Sequence, residues 1–533
     1  MKQKIALLFT LLLSFSLAQT FDFARSHSVT GLNIPTLSTS IALDSQEQPV
    51  MGRMIENRLN YTIPFGAFVI EKLDLTGTQI WTDTLSGYVH LQGLLIDPED
   101  NVFAYGQYRD SLGITGSDFE LITGSETHAW IARFNPTGEL MWFNDLTLSN
   151  PNLSIISQIC QGSDYLWMAS DNGFTGSAIY QLDPDGLITP YIEQTGVRGI
   201  FSLSEDGQGG LWVTGATGMG GLDFNGSLFT APHPYNQYIV RYTSTGSAQW
   251  VRFIEDITFE KNQIVTDDQG FGYFASALHG AFQFGDIQAQ GPDWVFDFVL
   301  TKLDSNGNFL WLREVPLDDQ LGDAGTGSGS FLDIGPDNSV YFSGFSRHSI
   351  DWGNGVFTQG DTYYDVLLLN FASNGQIMWG KTAGNEWLDS GDAVAVDSQG
   401  NVWLAGRCGE TASFDSITVT GTFTNAFVAR LSMNPTSMDV SEAARLPQFT
   451  LGANYPNPFN PSTMINYSLS QGSKVDLRVY DVTGREVSIL TNDYQSSGSH
   501  SASLSAQDLP AGVYIYRMTT ERGVQSRKML LVK

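Results

Sequence analysis

The sequence predicts an all-β protein in which a seven-bladed β-propeller is followed by a small β-sandwich. Three observations predict this fold class. The 533 residues include 55 glycines and 12% aromatic residues but only 16% charged residues, a mixture that suits short strands joined by glycine turns and disfavours disorder or a coiled coil. Related segments recur through residues 41–431, which indicates a repeat architecture. Residues 449–533 differ in composition and show the alternation of a half-buried strand.

A repeated signature marks the third strand of each predicted blade. It consists of a cation or amide, an apolar residue, and a glycine four residues after the apolar one. Six copies carry it in full: Lys72-Leu73…Gly77, Arg133-Phe134…Gly138, Gln181-Leu182…Gly186, Arg241-Tyr242…Gly246, Lys302-Leu303…Gly307 and Asn370-Phe371…Gly375. A seventh copy, Arg430-Leu431, lacks the glycine.

Tryptophan follows five of these glycines after four residues, at Trp81, Trp142, Trp250, Trp311 and Trp379. The third copy has Pro190 at that place. Equal spacing predicts that the five indoles occupy equivalent positions at the start of the fourth strands. Because a large aromatic side chain suits the space between adjacent blades, we expect these indoles to be structural and largely buried.

A turn precedes each signature. The turns begin at residues 44, 97, 161, 206, 267, 335 and 397, about 59 residues apart on average. In Asp397-Ser-Gln-Gly-Asn-Val-Trp403, for example, the glycine supplies the positive φ of a tight hairpin. Four short strands then fit each unit. One four-stranded sheet cannot bury both of its faces, whereas seven arranged radially bury them against one another, as in a β-propeller.

The last unit lacks a fourth strand of its own. Phe21–Arg25 is similar to the fourth-strand sequence Trp250–Phe253, so we expect the N-terminal segment to complete the last blade and close the ring. The repeats resemble the bacterial seven-bladed β-propeller repeat family often labelled SBBP. Because the repeat length varies, a ring of six or eight blades is the structural alternative.

The first 18 residues are predicted to be a secretory signal peptide. Lys2 and Lys4 precede the apolar run Ile5–Leu17, and Ser16 and Ala18 are the small residues expected before a cut after Ala18. A membrane anchor is the alternative, but the run is shorter than the ~20 residues that span a bilayer. The rest of the sequence contains no candidate transmembrane segment.

A change of charge separates a C-terminal module. Residues 449–533 hold 8 Lys and Arg against 6 Asp and Glu, a net charge of +2, whereas residues 19–448 hold 17 against 50, a net charge of −33. An asymmetry of this size indicates a separate domain. The polar segment 433–448 contains Pro435 and Pro447 and is predicted to be the linker, so the predicted propeller comprises residues 19–432.

An ordered series of motifs runs through the C-terminal module. They are Asn454-Tyr455-Pro456-Asn457-Pro458-Phe459-Asn460-Pro461-Ser462-Thr463, then Gly484-Arg485, then Leu509-Pro510-Ala511-Gly512-Val513-Tyr514, and finally Lys528. Together they resemble the type A C-terminal sorting domain of the bacterial type IX secretion system. The resemblance implies a small seven-stranded, Ig-like β-sandwich that the outer-membrane secretion machinery recognises. It also implies a secreted cargo that is either released or attached to surface lipopolysaccharide.

The residues themselves agree with a sandwich. Val475, Leu477 and Val479 alternate with polar residues, which predicts a half-buried antiparallel strand. The turn Asp481–Gly484 then leads into the return strand. A plain accessory sandwich without a sorting role is the alternative.

The motifs that signal catalysis or a cofactor do not occur in the sequence. There is no HExxH, GxSxG, P-loop or Rossmann glycine motif, so no catalytic residue and no cofactor is predicted. His279 and His348, at comparable blade positions, are a weak candidate for a metal-ligand pair. Asp183–Gly186 and Asp304–Gly307 are interpreted as hairpin turns, with weak Ca²⁺ binding as the alternative. Two cysteines, Cys160 and Cys408, are expected to be free thiols.

Charge and loop composition frame the expected function. A net charge of −29 and a pI near 4.4 disfavour nucleic acid and anionic membranes as partners. Aromatic and acidic residues meet in three segments between second and third strands, Tyr363–Asp365, His233–Asn236 and Gly291–Val295, where a glycan or peptide could bind. The sequence therefore predicts a secreted or cell-surface, non-catalytic binding or adhesion protein for an unidentified glycan or protein. A polysaccharide hydrolase or lyase, and a structural surface-layer component, are the alternatives.

Overall fold

The computed structural model describes residues 19–31, 39–59, 65–115, 120–171, 176–255, 257, 262–278, 280–291, 297–316, 323–360, 362–385, 388–422, 424–433, 449–469, 472–481, 485–496, 498–507, 509–520 and 523–532. The chain divides into two compact units, residues 1–434 and residues 435–533. The predicted signal peptide and most of the predicted linker lie outside the described residues.

The first unit is built almost entirely of strands. In chain order these are β1 (Thr20–Ser28), β2 (Thr30–Gly31), β3 (Thr39–Leu43), β4 (Pro49–Leu59), β5 (Phe65–Leu73), β6 (Gln79–Ile96), β7 (Val102–Ile114), β8 (Glu120–Phe134), β9 (Leu140–Asp145), β10 (Ile155–Gln161), β11 (Leu166–Asp171), β12 (Gly176–Leu182), β13 (Ile188–Thr195), β14 (Val197–Glu205), β15 (Leu211–Thr217), β16 (Gly220–Phe224), β17 (Ser227–Ala231), β18 (Asn236–Tyr242), β19 (Ala248–Glu255), β20 (Asn262–Thr266), β21 (Gly272–Leu278), β22 (Phe282–Phe284), β23 (Ile287–Ala289), β24 (Asp297–Leu303), β25 (Phe309–Arg313), β26 (Asp323–Thr326), β27 (Leu332–Ile334), β28 (Val340–Arg347), β29 (Ile350–Gly353), β30 (Val356–Thr358), β31 (Asp365–Phe371), β32 (Ile377–Asn385), β33 (Ser390–Val396), β34 (Val402–Cys408), β35 (Thr411–Phe414), β36 (Ile417–Thr420) and β37 (Asn425–Ser432). A single turn of helix, α1 (Leu146–Ser149), follows β9.

Most strands of the first unit pair in antiparallel groups of four, which we number in chain order; β2 and the hairpins β16–β17, β22–β23, β29–β30 and β35–β36 lie outside these groups. Group 1 is β3, β4, β5 and the first half of β6; group 2 is the second half of β6 with β7, β8 and β9; group 3 is β10 to β13; group 4 is β14, β15, β18 and β19; group 5 is β20, β21, β24 and β25; group 6 is β26 and β27 in line, then β28, β31 and β32; group 7 is β33, β34, β37 and β1. First strands of successive groups are in contact, and β33 of group 7 contacts β3 of group 1. The arrangement is therefore propeller-like.

The N-terminal strand completes group 7, as the sequence predicts. β1 pairs antiparallel with β37, from Thr20 opposite Ser432 to Ser28 opposite Asn425. The pairing contains a bulge between Phe21 and Phe23, so that Phe23 faces Arg430. β19 of group 4 shows the same feature, with Trp250 opposite Arg241 and a bulge before it. The N-terminal strand thus reproduces the fourth strand of the internal groups.

A buried aspartate joins three strands of a group. In group 2, Asp97 Oδ1 accepts the backbone N–H groups of Glu99 (3.1 Å) and Asn101 (2.8 Å), which closes the turn between the first and second strands. Its Oδ2 lies 2.9 Å from Arg133 Nη2 on the third strand. The matching pairs in groups 1, 4 and 5 are Asp44 with Lys72 (2.6 Å), Asp206 with Arg241 (2.8 Å) and Asp267 with Lys302 (3.6 Å). In these four groups, the two sequence signatures are therefore the two halves of one ion pair. In group 7, Arg430 pairs with Asp22 on β1.

Polar side chains link the first strands of neighbouring groups. Each accepts a backbone N–H of the next first strand: Ser40 from Leu94 (3.0 Å), Gln158 from Leu203 (2.8 Å), Ser202 from Ile264 (3.1 Å), Gln263 from Leu332 (2.9 Å) and Asp333 from Val396 (2.7 Å). Burial raises the pKa of Asp333 to about 6. Sequence analysis missed these residues because they do not share a residue type or a constant distance from the turn.

The repeated tryptophans contact the following group. Each indole Nε1–H donates to a backbone carbonyl in the turn between the third and fourth strands of that group: Trp81 to Pro136 (3.1 Å), Trp142 to Pro184 (2.9 Å), Trp250 to Ser305 (2.9 Å) and Trp311 to Ser373 (3.1 Å). The glycine of the turn is required by this contact. At Gly307, which has φ +77°, an added Cβ would lie 2.7 Å from the Trp250 ring.

The five tryptophans are buried to different degrees. Trp379 is 9% exposed, whereas the other four indoles are half-buried. Trp379 differs in another way. Group 7 has no turn between its third and fourth strands, since β1 comes from the other end of the chain, and the Trp379 Nε1–H has no acceptor among the described residues.

Other aromatic residues take the tryptophan position where the sequence breaks the pattern. In group 3, the bulge residue Tyr191 donates its hydroxyl to the Ser244 carbonyl in the turn of group 4. In group 7, the ring of Phe23 lies against Gly77 in the turn of group 1. The contact between groups therefore continues through the third repeat and across the junction of the chain ends.

The second unit contains seven strands in two sheets. They are β38 (Phe449–Tyr455), β39 (Ser462–Leu469), β40 (Ser473–Asp481), β41 (Glu486–Gln495), β42 (Gly498–Ser505), β43 (Gly512–Thr520) and β44 (Gly523–Leu531). One sheet has the order β38-β39-β42 and the other β41-β40-β43-β44. Val475, Leu477 and Val479 are buried in the core between the sheets, which confirms the predicted alternation of β40.

Comparing two tryptophans tests the contact between groups. We expect Trp250→Phe to lower the free energy of unfolding by about 1 kcal/mol more than Trp379→Phe, because only Trp250 loses a hydrogen bond to the next turn. Urea unfolding of the mature protein measures both variants. Equal losses, or a larger loss for Trp379→Phe, would contradict the role assigned to the turn carbonyl.

Candidate functional site

The loops between second and third strands meet the beginnings of the first strands at one end of each group. In group 4, Val197 at the start of β14 is level with Thr217 at the end of β15, which is level with Asn236 at the start of β18. We call this end the loop face. Two of the three predicted binding segments, 233–236 and 363–365, lie on it at equivalent places in groups 4 and 6. Residues 292–295, four of the five residues of the third segment, lie outside the described residues, as does His279.

An aromatic and ionic cluster occupies the loop face of group 6. The rings of Phe345 and Tyr364 meet edge to face with centroids 4.9 Å apart. The Arg347 guanidinium lies 5.5 Å above the Tyr364 ring and binds the Asp323 carboxylate twice, at 3.2 Å and 2.8 Å. Burial raises the pKa of Asp323, and Arg347 opposes that shift. The cation of this cluster is thus neutralised within the protein.

Two carboxyl groups approach each other beside this cluster. Asp389 accepts the backbone N–H groups of Gly409 at Oδ1 (2.8 Å) and Asn385 at Oδ2 (3.0 Å). Burial, with a smaller contribution from Asp365, raises the pKa of Asp389 to about 7. Gly384 is needed here, because an added Cβ would lie 2.4 Å from Asp389 Oδ2 and 2.7 Å from Asp365 Oδ1. Asp389 therefore links two loops, and each of its carboxylate oxygens accepts a hydrogen bond.

Group 5 carries a comparable buried carboxyl at the start of its third strand. Asp297 Oδ1 accepts the N–H groups of Phe298 (2.7 Å) and Val315 (2.9 Å). Its Oδ2 has no hydrogen-bond partner among the described residues. Burial raises the pKa of Asp297 to about 7, and nearby Glu314 adds to the shift. This carboxyl carries a proton more readily than an exposed aspartate does.

The loop face of group 4 presents an exposed tyrosine and an arginine. Tyr235 is 44% exposed, and the exposed Arg198 holds its guanidinium carbon 5.1 Å from the centre of the Tyr235 ring. The segment is held by Asn236, whose Oδ1 accepts the His233 N–H (3.2 Å) and whose side-chain amide donates to the His233 carbonyl. Tyr363 of group 6 is also exposed, at 54%. Sequence analysis selected both tyrosine segments but not Arg198, which has no neighbouring motif.

The described residues contain no group of three or more His, Cys, Asp or Glu side chains that could hold a metal ion. The Asp turns have a local explanation, since Asp183 and Asp304 each accept two backbone N–H groups within their own hairpins. Both cysteines are free thiols, as expected. Burial raises the pKa of the Cys408 thiol to about 12 and also raises that of Cys160, which disfavours thiolate chemistry.

The motif residues of the second unit hold its C-terminal strand. Asn457 Oδ1 accepts the Leu530 N–H (2.9 Å), and Phe459 exchanges backbone hydrogen bonds with Leu530 (2.9 Å) and Val532 (3.0 Å). The Phe459 side chain is buried in the core. The segment therefore covers part of the free edge of β44.

The remaining motif residues lie mostly at the surface. Tyr514 is buried and donates its hydroxyl to the Pro510 carbonyl (2.7 Å), and Arg485 binds Asp481 at 3.0 Å. Exposed members are Pro456, Pro458, Asn460, Pro461 and Lys528. Gly512 begins β43. Gly484 and the Tyr455 side chain lie outside the described residues.

Residues 453–533 match the family model of the secretion system C-terminal sorting domain. No curated protein matches the chain. Among solved structures, the chain is similar to PorZ, an essential surface component of the type IX secretion system of Porphyromonas gingivalis. The two chains are 9% identical, the match covers 94% of this chain and 99% of that chain, and the TM-score is 0.21. It is also similar to dipeptidyl peptidase 4 of Porphyromonas gingivalis (9% identity, 85% and 60% covered, TM-score 0.32) and to a family 43 arabinoxylan arabinofuranohydrolase of Bacillus subtilis (10% identity, 93% and 96% covered, TM-score 0.27). Likenesses at these TM-scores carry no argument about activity.

The second unit is a C-terminal sorting domain. The protein is therefore a type IX-secreted extracellular or cell-surface protein. Within the described residues, no helix has the length and hydropathy of a membrane span.

Replacing Asp297 tests the buried carboxyl. Because its pKa in the folded protein is about 7 and that of an unfolded aspartate is about 3.9, the folded state binds more protons between these values, and stability falls as the pH rises through this range. We expect Asp297→Asn, which keeps the acceptor oxygen but cannot ionise, to raise the thermal midpoint at pH 8 and to flatten its pH dependence.

A matched variant gives the opposite sign. Asp206→Asn removes the carboxylate paired with Arg241 and leaves a buried cation without its counter-ion, so its thermal midpoint should fall at pH 8. A lower midpoint for Asp297→Asn at pH 8 would show that the Asp297 carboxylate is stabilising in its ionised form.

Proposed function

We propose that the mature protein is a seven-bladed β-propeller exported to the cell surface, in which each four-strand group is one blade. Residues 1–18 are removed as a signal peptide, residues 19–432 form the propeller, residues 433–448 are the linker, and residues 449–533 form the Ig-like sorting sandwich. The closed order of contacts between first strands and the pairing of β1 with β37 support the ring. The hydroxyl of Tyr514, bound to a carbonyl four residues upstream, supports the Ig-like assignment.

The propeller acts as a non-catalytic binding module through its loop face. The main support for this proposal is that aromatic residues on the loop face are exposed, whereas the carboxyl groups with raised pKa values are buried. Tyr235 and Tyr363 present their rings to solvent, as a surface that binds sugars or peptides requires. By contrast, Asp297 and Asp389, whose pKa values are raised, are buried and bonded to backbone N–H groups.

A glycan is the ligand that the loop face fits best. Exposed tyrosine rings stack against the apolar faces of pyranose rings, and the surrounding polar side chains supply hydrogen bonds to hydroxyl groups. The machinery of type IX secretion is the second partner, and it binds through the sorting domain.

A polysaccharide hydrolase is the alternative that one observation favours. Asp365 and Asp389 lie close together, and the pKa of Asp389 is raised to about 7, as in a carboxyl pair that shares acid and base roles. In that case Asp389→Asn would abolish cleavage of a bound polysaccharide. In the binding module that we propose, no cleavage occurs in either protein.

Removing the sorting domain tests the export route. Deleting residues 449–533 should leave the protein in the periplasm, because the signal peptide carries it across the inner membrane only. Immunoblots of periplasmic, surface and medium fractions measure the distribution. Protease resistance of the retained fragment shows that the first unit has folded. Normal appearance of the truncated protein outside the cell would overturn the sorting role.

A glycan array tests the binding face. We expect the mature protein to bind a subset of glycans, and Tyr363→Ala to weaken that binding about tenfold, since one stacking contact contributes about 1–1.5 kcal/mol. Tyr165→Ala is the matched control. Tyr165 is 44% exposed but lies in the turn between β10 and β11, at the opposite end of group 3, so its removal should leave binding unchanged. Binding lost equally in both variants would place the ligand elsewhere.

A further inference from the structure

We propose that Arg198 and Tyr235 form a receptor for a single anionic sugar residue, a uronic acid within an otherwise neutral glycan. The proposal rests on the function proposed above and specifies its ligand. The guanidinium would bind the sugar carboxylate through two parallel N–H···O bonds, while the Tyr235 hydroxyl and the free part of its ring would contact the pyranose.

Arg198 is a cation without a counter-ion among the described residues. It forms no ion pair and no hydrogen bond with any of them, and its guanidinium lies over the Tyr235 ring. Elsewhere in the first unit, lysines and arginines are bound by carboxylates, as with Arg133 and Asp97, or by turn carbonyls, as with Arg252 and Gly307. Residues 19–448 contain 50 acidic and only 17 basic residues. Carboxylates are therefore abundant, and a shortage of them does not explain why Arg198 has no counter-ion.

Group 6 provides an internal comparison. Tyr364 lies six residues before Asn370, just as Tyr235 lies six residues before Arg241, so the two tyrosines are at equivalent repeat positions. Each carries an arginine on its ring, at 5.5 Å and 5.1 Å. In group 6, the first strand supplies Asp323, which binds the arginine twice.

In group 4, the carboxylate of this arrangement is absent. Arg198 itself stands at the start of the first strand, and Gly218 follows the end of the second strand. A Cβ added at Gly218 would lie 3.9 Å from Arg198 Nε and 4.0 Å from Nη2, so the glycine leaves one side of the guanidinium open. In the strand register, Gly218 takes the place of Arg347 and Gly196 takes the place of Asp323. Group 4 therefore has no carboxylate where group 6 has Asp323, and a carboxylate from outside can approach the guanidinium from the side of Gly218.

The tyrosine and the arginine are held in place before a ligand arrives. The Tyr235 N–H donates to His233 Nδ1 (3.3 Å), and the side chain of Asn236 bonds to the backbone of His233. The guanidinium carbon of Arg198 lies 5.1 Å from the centre of the Tyr235 ring, and this contact limits the positions that the guanidinium adopts. Prior ordering of this kind lowers the entropy lost on binding.

The charge of the first unit limits the ligand to a sparsely charged one. Residues 19–448 carry a net charge of −33, which repels a polyanion such as a fully sulfated glycan. A single carboxylate among neutral sugars experiences that repulsion least, and Arg198 can bind one such group. The affinity should fall as salt is added, because the site is exposed.

The test compares matched oligosaccharides on the intact mature protein. Titration calorimetry would use a neutral oligosaccharide selected on the glycan array, its analogue with one glucuronic acid, and its analogue with one sulfate. A peptide with a free C-terminal carboxylate and the same peptide amidated form a further pair. The variants are Arg198→Gln, Arg198→Lys, which keeps charge but lacks the planar fork, and Tyr165→Ala as the control, each checked for an unchanged thermal midpoint.

We expect the glucuronic acid analogue to bind ten to a hundred times more tightly than the neutral one, the range that a charge-assisted bidentate pair gives. Arg198→Gln should abolish this preference and leave the neutral affinity unchanged, Arg198→Lys should recover only part of it, and Tyr165→Ala should retain it. Equal affinity for neutral and acidic analogues, or a preference that survives in Arg198→Gln, would overturn the inference while the binding function stands.

Three other outcomes also decide the matter. Stronger binding of the sulfate than of the glucuronate would overturn the choice of a carboxylate sugar. An Arg198-dependent response to the free peptide carboxylate alone would replace the glycan by a protein terminus. Failure of the wild-type protein to bind any of these probes or any glycan on the array would overturn the proposed function itself.

Discussion

A buried ion pair between a turn aspartate and a third-strand cation is the interaction on which four of the seven strand groups depend. Asp206 closes its turn with two backbone N–H groups and binds Arg241 across the sheet. Removing either charge leaves the other buried and unpaired. This destabilises the fold more than replacing both residues by a neutral pair does. The repeats obey this constraint together. Group 3 has Gln161 and Gln181 at these two positions and group 6 has Gly335 and Asn370, so the cation is lost wherever the aspartate is lost.

The contact between neighbouring groups also depends on two positions, one in each group. An aromatic ring on one fourth strand lies on the turn glycine of the next group, and the residue two places later often donates to that glycine's carbonyl, as Arg252 does to Gly307 and Arg313 does to Gly375. Asp83 holds this place in group 1, where burial raises its pKa to about 6. The N-terminal strand supplies both elements with Phe23 and Arg25, whose guanidinium reaches Gly77 and the buried Glu71. The two ends of the first unit are thereby joined by the contact that joins its interior groups.

The contacts that stabilise the groups lie at one end of each group, which is why we propose that ligands bind at the other end, the loop face. Turns at the opposite end are occupied by the ion pairs and by the indole contacts, and substitutions there disturb the scaffold. The segments between second and third strands make neither of these contacts, so they vary in length and carry Tyr235 and Tyr363. Arg198 lies beside Tyr235, at the start of a first strand. The sorting domain uses its own motif in a structural way, since Asn457 and Phe459 cover the edge of the C-terminal strand.

The sequence by itself determined the repeat, the strand content, the closing N-terminal strand and the sorting motif, because each depends on local spacing or on side-chain alternation. Only the tertiary structure decided which of these marked residues meet. Asp97 and Arg133 are 36 residues apart, and Trp81 and Pro136 are 55 apart, so no spacing rule within one strand could pair them. Four of the five repeated tryptophans are half-buried, and the indole N–H of each of these four bonds to a turn from another repeat. Arg198 carries no sequence signal at all. We assign it a role because the fold places beside it a tyrosine from the loop before the third strand, and because group 6 provides a carboxylate to its arginine that group 4 does not.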